Sequence, residues 1–146
     1  MSAAPQSDGL GQAPKSLPLI LARELAANLA TPMFLIDGEG IVVYCNEAAE
    51  LMLGKSYAEM GAISAADFGE MLHLEHPDGS PLSRRASPPG VAFLERTPAH
   101  STLCATTLDE SHKQFEVTAY PLFGRTGDMH GVLTVFWESP EKQATV

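Results

Sequence analysis

Basic residues are scarce in this chain. Nine lysines and arginines stand against 18 aspartates and glutamates in 146 residues, a formal net charge of −9. Nucleic-acid binding draws on clustered cations that displace counterions from phosphates. The one basic doublet, Arg84-Arg85, is too short to be such a footprint, so direct DNA or RNA binding is not expected. Cysteine is scarcer still. Cys45 and Cys104 are too few for a disulfide scaffold. Long apolar runs are missing as well: the stretch from Leu19 to Ala30 is interrupted by Arg23, Glu24 and Asn28, which excludes a transmembrane span there. Met1 to Gly11 has no basic n-region and does not read as a secretory signal. A reduced, cytoplasmic protein is the expectation. Catalytic signatures are absent too, with no Gly-x-Ser-x-Gly, His-Glu-x-x-His or phosphate loop. No nucleophile and base are brought together by any motif, and an enzyme is not expected.

What is present is a balanced globular composition, 45% hydrophobic and 18% charged. The length suits one domain with a sizeable core. Residues 1–15 read as a flexible tail and 139–146 as a second one. Ser16 offers an N-cap, and Pro18 fits the first turn of a helix over 16–30. Leu17, Leu21, Leu25 and Leu29 recur every four residues on it, giving one apolar stripe. Two β-rich runs follow, Met33 to Ile36 and Ile41 to Cys45. The link between them, Asp37-Gly38-Glu39-Gly40, is a hairpin signal. Asn46 caps a helix that Gly54 stops.

From Lys55 to Pro98 no strand is expected. Tyr57 to Met60 and Ala65 to Leu74 read as short helices, with Phe68, Met71 and Leu72 turned inward, and Val91 to Glu95 as another. The last third is β again. Ser101 to Leu108 leads through the turn 109–112 to Gln114–Tyr120, which alternates cleanly. Val132 to Trp137 is apolar on both faces and so is a covered central strand. The expected fold is α+β over residues 31–138. A five-stranded antiparallel sheet carries short helices on one face, and the amphipathic N-terminal helix is available to the other.

This order resembles the PAS family. Thr31 to Glu50 is similar to the family's opening hairpin, an Asp-Gly turn followed by an Asn-x-Ala-Ala helix start and Leu53-Gly54. Asp78-Gly79-Ser80-Pro81 resembles the loop before its longest helix, and Phe115–Leu122 and Gly131–Phe136 its last two strands. The turn at 109–112 lacks the family's Asp-Gly, and Glu138-Ser139-Pro140 stands where an Asp-Ile-Thr ending is common. The resemblance implies a sensory or signalling module acting through a small hydrophobic ligand, a homodimer or a signalling partner protein. A ligand-free interaction module is the alternative, and an α+β enzyme a third.

The family's cofactors need particular residues. The flavin photochemistry of its light-sensing class needs an Asn-Cys-Arg-Phe-Leu-Gln helix, which is not here. Haem needs an axial ligand, commonly a histidine on the middle helix, yet His73 and His76 precede Val91–Glu95 and His100 follows it. His73-x-x-His76 with Glu75 lacks four-ligand zinc logic. Cys45 and Cys104 are either a redox pair or small core residues. No cofactor is therefore named. A ligand would lie between sheet and helices, with Tyr44, Phe68, Leu72, Val91, Leu94, Phe115, Val117 and Thr134 as candidate lining residues; the same side chains could equally fill a solid core. The stripe Leu17, Leu21, Leu25 is either a cover for the sheet or a dimer contact.

Overall fold

The computed structural model describes residues 16–139, so the two tail assignments, apart from Ser139, lie outside the described residues. Helix α1 spans Leu17–Ala27, with the Ser16 hydroxyl accepting from the Leu19 amide at 3.4 Å and Pro18 in its first turn. It stops at Asn28, short of Thr31-Pro32, because the Asn28 side chain donates back to the Glu24 carbonyl. Strands β1 (Met33–Asp37) and β2 (Ile41–Cys45) form the expected hairpin. The Asp37 carboxylate accepts from the Glu39 and Ile41 amides, and Gly40 takes a φ of +87° that a side chain would resist.

Helices α2 (Glu47–Leu53) and α3 (Tyr57–Met60) follow, the second opened by a Ser56/Glu59 capping box. The two-residue strand β3 (Ile63–Ser64) precedes α4 (Ala65–Met71). A 3-10 turn at Arg84–Ala86 leads into α5 (Pro88–Glu95), then β4 (Ala99–Thr106), β5 (His112–Phe123) and β6 (Met129–Glu138).

The sheet is antiparallel throughout, with order β3-β2-β1-β6-β5-β4. It has six strands, not five. The extra one comes from the segment expected to hold none, because Ile63 and Ser64 pair with Val42 and Ile41 at the sheet's edge. So short a strand is made by its partner and has no periodicity of its own. In the same segment, α4 ends at Met71, which is 38% exposed, so Met71 is not an inward residue.

Each face of the sheet has its own core. On the inner face, under α2, α4 and α5, lie Ile36, Val42, Cys45, Phe115, Val117, Val132 and Phe136, packed against Phe68, Leu72 and Ala92. On the outer face, Leu35 and Val43 pack against Leu19 and Ala22 of α1. Strand β6, between β1 and β5, is buried on its inner face and covered by α1 over Leu133 on its outer face, while Trp137 near its end stays 42% exposed.

The register of β1 against β2 shifts between Leu35, opposite Tyr44, and Ile36, opposite Val42, leaving Val43 as an extra residue. This bulge breaks the two-residue alternation. Val42 and Cys45 both face inward, while Val43 and Tyr44 both face α1.

Candidate functional site

The inner layer is not packed solid. A cavity of about 400 Å3 lies between the sheet and the segment that runs from α4 to α5. Its floor is a chain of edge-to-face and tilted aromatic rings. Phe68 meets Phe34 at 5.3 Å between centroids, Phe34 meets Phe136 at 5.9 Å, and Phe136 meets Phe115 at 5.7 Å. Leu53, Leu72, Leu103 and Val117 complete the apolar wall, and Phe93 and Leu94 close it from α5. Such walls with few polar groups are typical of small-molecule sites.

The polar groups are placed by the 3-10 turn and by α5. Ser87 caps α5, accepting from the Gly90 amide at 3.3 Å while donating to the Arg84 carbonyl at 2.6 Å. Its hydroxyl proton is thereby committed. The Ser64 hydroxyl is used likewise as the cap of α4, accepting from Asp67 at 3.0 Å. The Ser64 hydroxyl keeps its proton to donate, and the charged side chains of the lining are Arg84, Arg85 and Glu39, all exposed at the cavity mouth.

Of the candidate lining residues, the structure brings together Phe68, Leu72, Leu94, Phe115 and Val117, with Leu94 half open to solvent. Three lie elsewhere. Tyr44 is turned to the opposite face by the bulge at Val43, where the Arg23 guanidinium stacks 4.8 Å above its ring. Val91 is off the lining stripe of α5, which is carried by Gly90, Phe93 and Leu94 at three- and four-residue spacing. Thr134 is fully buried on the inner face without reaching the cavity, and its hydroxyl has no hydrogen-bond partner among the described residues.

Phe34, Ile36, Phe93 and Phe136 belong to the walls and were not among the candidates. The alternation of β1 and β6 carried a usable signal for three of them, since Phe34 and Ile36 share one face, and Phe136 falls on the same face as Val132.

No histidine or cysteine is among the lining residues. The walls therefore offer no imidazole or thiolate for axial haem ligation and no thiol for addition to a flavin. Cys45 and Cys104 are buried and unpaired. Burial, with Glu50 nearby, pushes the Cys45 thiol up to about 12, and burial also raises that of Cys104. Both are poor nucleophiles in these settings. Among the described residues no cluster of three or more metal-ligating side chains occurs.

A separate polar network lies on the outer face of β4 and β5. Half-buried Glu116 accepts from Thr102 at 2.9 Å and from the Ser139 hydroxyl at 3.0 Å, and it meets His100 Nε2 at 2.9 Å. These hydrogen bonds, Thr102 first, hold its carboxyl below the usual 4.5. A depressed carboxylate pKa stabilises the fold above its ordinary range and loses that contribution as pH falls through the depressed value. As pH falls through and below the usual carboxylate range, Glu116→Gln should therefore lose less melting temperature than the parent chain. Equal acid sensitivity of the two proteins in thermal melts would remove Glu116 from the account.

The outward side of α1 carries the leucine stripe. Leu17, Leu21 and Leu25 are 64%, 60% and 51% exposed, whereas Leu19, Ala22 and Ala26 form the buried side. The helix thus covers the sheet with one side and presents leucines with another. No helix among the described residues is long and apolar enough to cross a membrane.

Comparison with known proteins agrees with this architecture. The family model described as the PAS fold matches residues 21–68, which carry most of α1, the opening hairpin, α2, α3, β3 and the first part of α4. No curated protein matches the sequence. Among solved structures, the LOV protein of Rhodobacter sphaeroides is similar with a TM-score of 0.65 at 12% identity, over 88% of this chain and 71% of that one. The PAS domain of a Colwellia psychrerythraea protein has a TM-score of 0.61 at 16% identity, over 85% of this chain and 98% of its own. The light-state dimer of the fungal blue-light photoreceptor Vivid has a TM-score of 0.58 at 16% identity, over 93% and 97%. With residues 21–68 matched by the family model and the whole sheet with its helical layers shared with these structures, the chain has the PAS fold.

Proposed function

We propose that this domain is a cytoplasmic signal-transduction module that senses a small, largely apolar molecule in the inner cavity and acts as a homodimer through α1. The cavity carries the reading. A domain of this size packs its interior to crystal-like density unless space is reserved, and about 400 Å3 walled by phenylalanines and leucines is enough for a compact ligand. A ligand signals only if it favours one arrangement of the domain over another. The walls include α4, α5 and the 3-10 turn, so a molecule in the cavity would touch all three.

The exposed leucines of α1 support the dimer. Leu17, Leu21 and Leu25 form one apolar strip on a surface helix, and contiguous apolar surface of this kind marks a protein contact. A fold neighbour, Vivid, has been solved as a light-state dimer. The same strip also favours the second reading, a ligand-free module that binds a partner protein.

Native mass spectrometry of the purified protein, repeated under denaturing conditions, separates the two. A small molecule released on denaturation is the expected result, and a dimer with nothing released favours the second reading. Leu21→Asp should convert dimer to monomer while shifting stability by no more than about 0.5 kcal/mol, because the side chain lies outside the intramolecular core. A parent protein that is monomeric at high concentration would sink the dimer.

A further inference from the structure

The cavity mouth has a charge that its walls do not explain. In a chain with a net charge of −9, two of nine basic residues stand side by side at the entrance to an apolar space. Among the described residues, neither the Arg84 nor the Arg85 guanidinium forms an ion pair or a hydrogen bond; the ion pairs present use His100, His112 and Lys113. Of the other arginines, Arg23 lies over Tyr44 and Arg96 over Phe123 with a bond to the Gly127 carbonyl, while Arg125 has no such contact among the described residues and does not line the cavity.

The turn that carries the pair is held firmly. Ser87 bonds the Arg84 carbonyl through both its amide and its hydroxyl, and Gly90 of α5 packs directly beneath that carbonyl. Gly90 has no room for a side chain there. The N-terminus of α5 adds positive potential at the same end. Its first two residues are Pro88 and Pro89, which have no N–H. A negative group at the mouth would therefore be bonded by the guanidinium donors and not by the helix end. Glu39 also reaches the mouth, which leaves the ionisable lining with one net positive charge.

We infer that the ligand of this cavity is an amphipathic anion, with its apolar body on the phenylalanine floor and a carboxylate, sulfonate or phosphate head at Arg84 and Arg85. This rests on the ligand-cavity reading above. Guanidinium pairs bind such heads through directed, charge-assisted hydrogen bonds, while an apolar body explains the walls.

Two dyes of one aromatic frame test it: anilinonaphthalene sulfonate, which is anionic, and N-phenyl-naphthylamine, which is neutral. Both are titrated by fluorescence into the full chain, into the double variant Arg84→Gln/Arg85→Gln, and into Gly69→Leu. Gly69 lines the cavity on α4 with ordinary backbone and space around it, so leucine there fills the cavity. Expected is a loss of both dyes in Gly69→Leu, and in the double variant a weakening of roughly tenfold for the sulfonate alone. Glu39→Gln should tighten the sulfonate by roughly twofold. If the double variant changes both dyes equally, or neither, the anionic class is overturned while the cavity remains a ligand site. If Gly69→Leu leaves both dyes bound, the cavity reading itself fails and this one with it. Melting temperatures of the variants confirm that each is folded.

Discussion

Asn46→Ala is expected to lower stability by about 3–4 kcal/mol, combining a lost helix cap with several buried groups left unpaired. For a domain of this length that is a melting temperature lower by roughly 10 °C or more. Asn46 is 3% exposed and both ends of its amide are committed. Its Oδ1 accepts from the Met33 amide at 3.0 Å and from the Ala49 amide at 2.9 Å. Its Nδ2 donates to the Ala26 carbonyl at 2.9 Å and to the Thr31 carbonyl at 2.8 Å. One side chain thus joins the end of α1, the first strand and the start of α2.

Asn46→Asp separates capping from joining. It keeps the acceptor for Met33 and Ala49 but turns a carboxylate oxygen toward the carbonyls of Ala26 and Thr31, so it should rescue little. Hydrogen exchange gives the specific readout: amides of 17–27 should open earlier than the sheet in either variant. If α1 keeps its protection, the asparagine acts as a cap and not as a joint.

The second large effect contrasts two helical glycines in one layer. Gly90→Ala should cost about 2–3 kcal/mol, because the new Cβ would overlap the Arg84 carbonyl, a backbone atom that moves only with its turn. Gly69→Ala should instead stabilise by about 0.5–1 kcal/mol, since its nearest neighbour would be Leu74 Cδ1 at 3.7 Å and alanine favours the helix. Thermal or urea melts of the two variants check the opposite signs. Gly90→Ala also displaces the turn bearing Arg84 and Arg85, so it should weaken the sulfonate dye more than its neutral counterpart. A Gly90→Ala protein as stable as the parent would show that the turn is loosely held, contrary to its hydrogen bonds.

Much of the fold was legible because its signals are local. Ser16 and Asn46 are side chains that cap helices wherever they stand before one, and Asp37 to Gly40 closes a hairpin with its own carboxylate. The alternation of Phe115, Val117 and Ala119 gave their face directly. What was not legible depends on partners. Strand β3 exists only as a pairing with β2.

The leucine period on α1 pointed to a side that the helix does not bury. Ala22 and Ala26 let the backbone approach the sheet closely, and they carry too little hydrophobicity to announce it. Candidate lining residues could be read from strand and helix periods, but whether their side chains meet or leave space between them could not. Arg84-Arg85 was plain in the sequence, yet its meaning came only from where the 3-10 turn sets it down.

The extra residue in β2 has a consequence for the cavity. With Val43 inserted, Tyr44 rests under Arg23 on the far side of the sheet, and the inner position is left to the smaller Cys45. Were the same five residues to alternate regularly, without the bulge, the phenol ring would swing in among the phenylalanines and take up room that a guest would need. An arithmetic of odd and even positions, upstream of any binding chemistry, helps keep that room vacant.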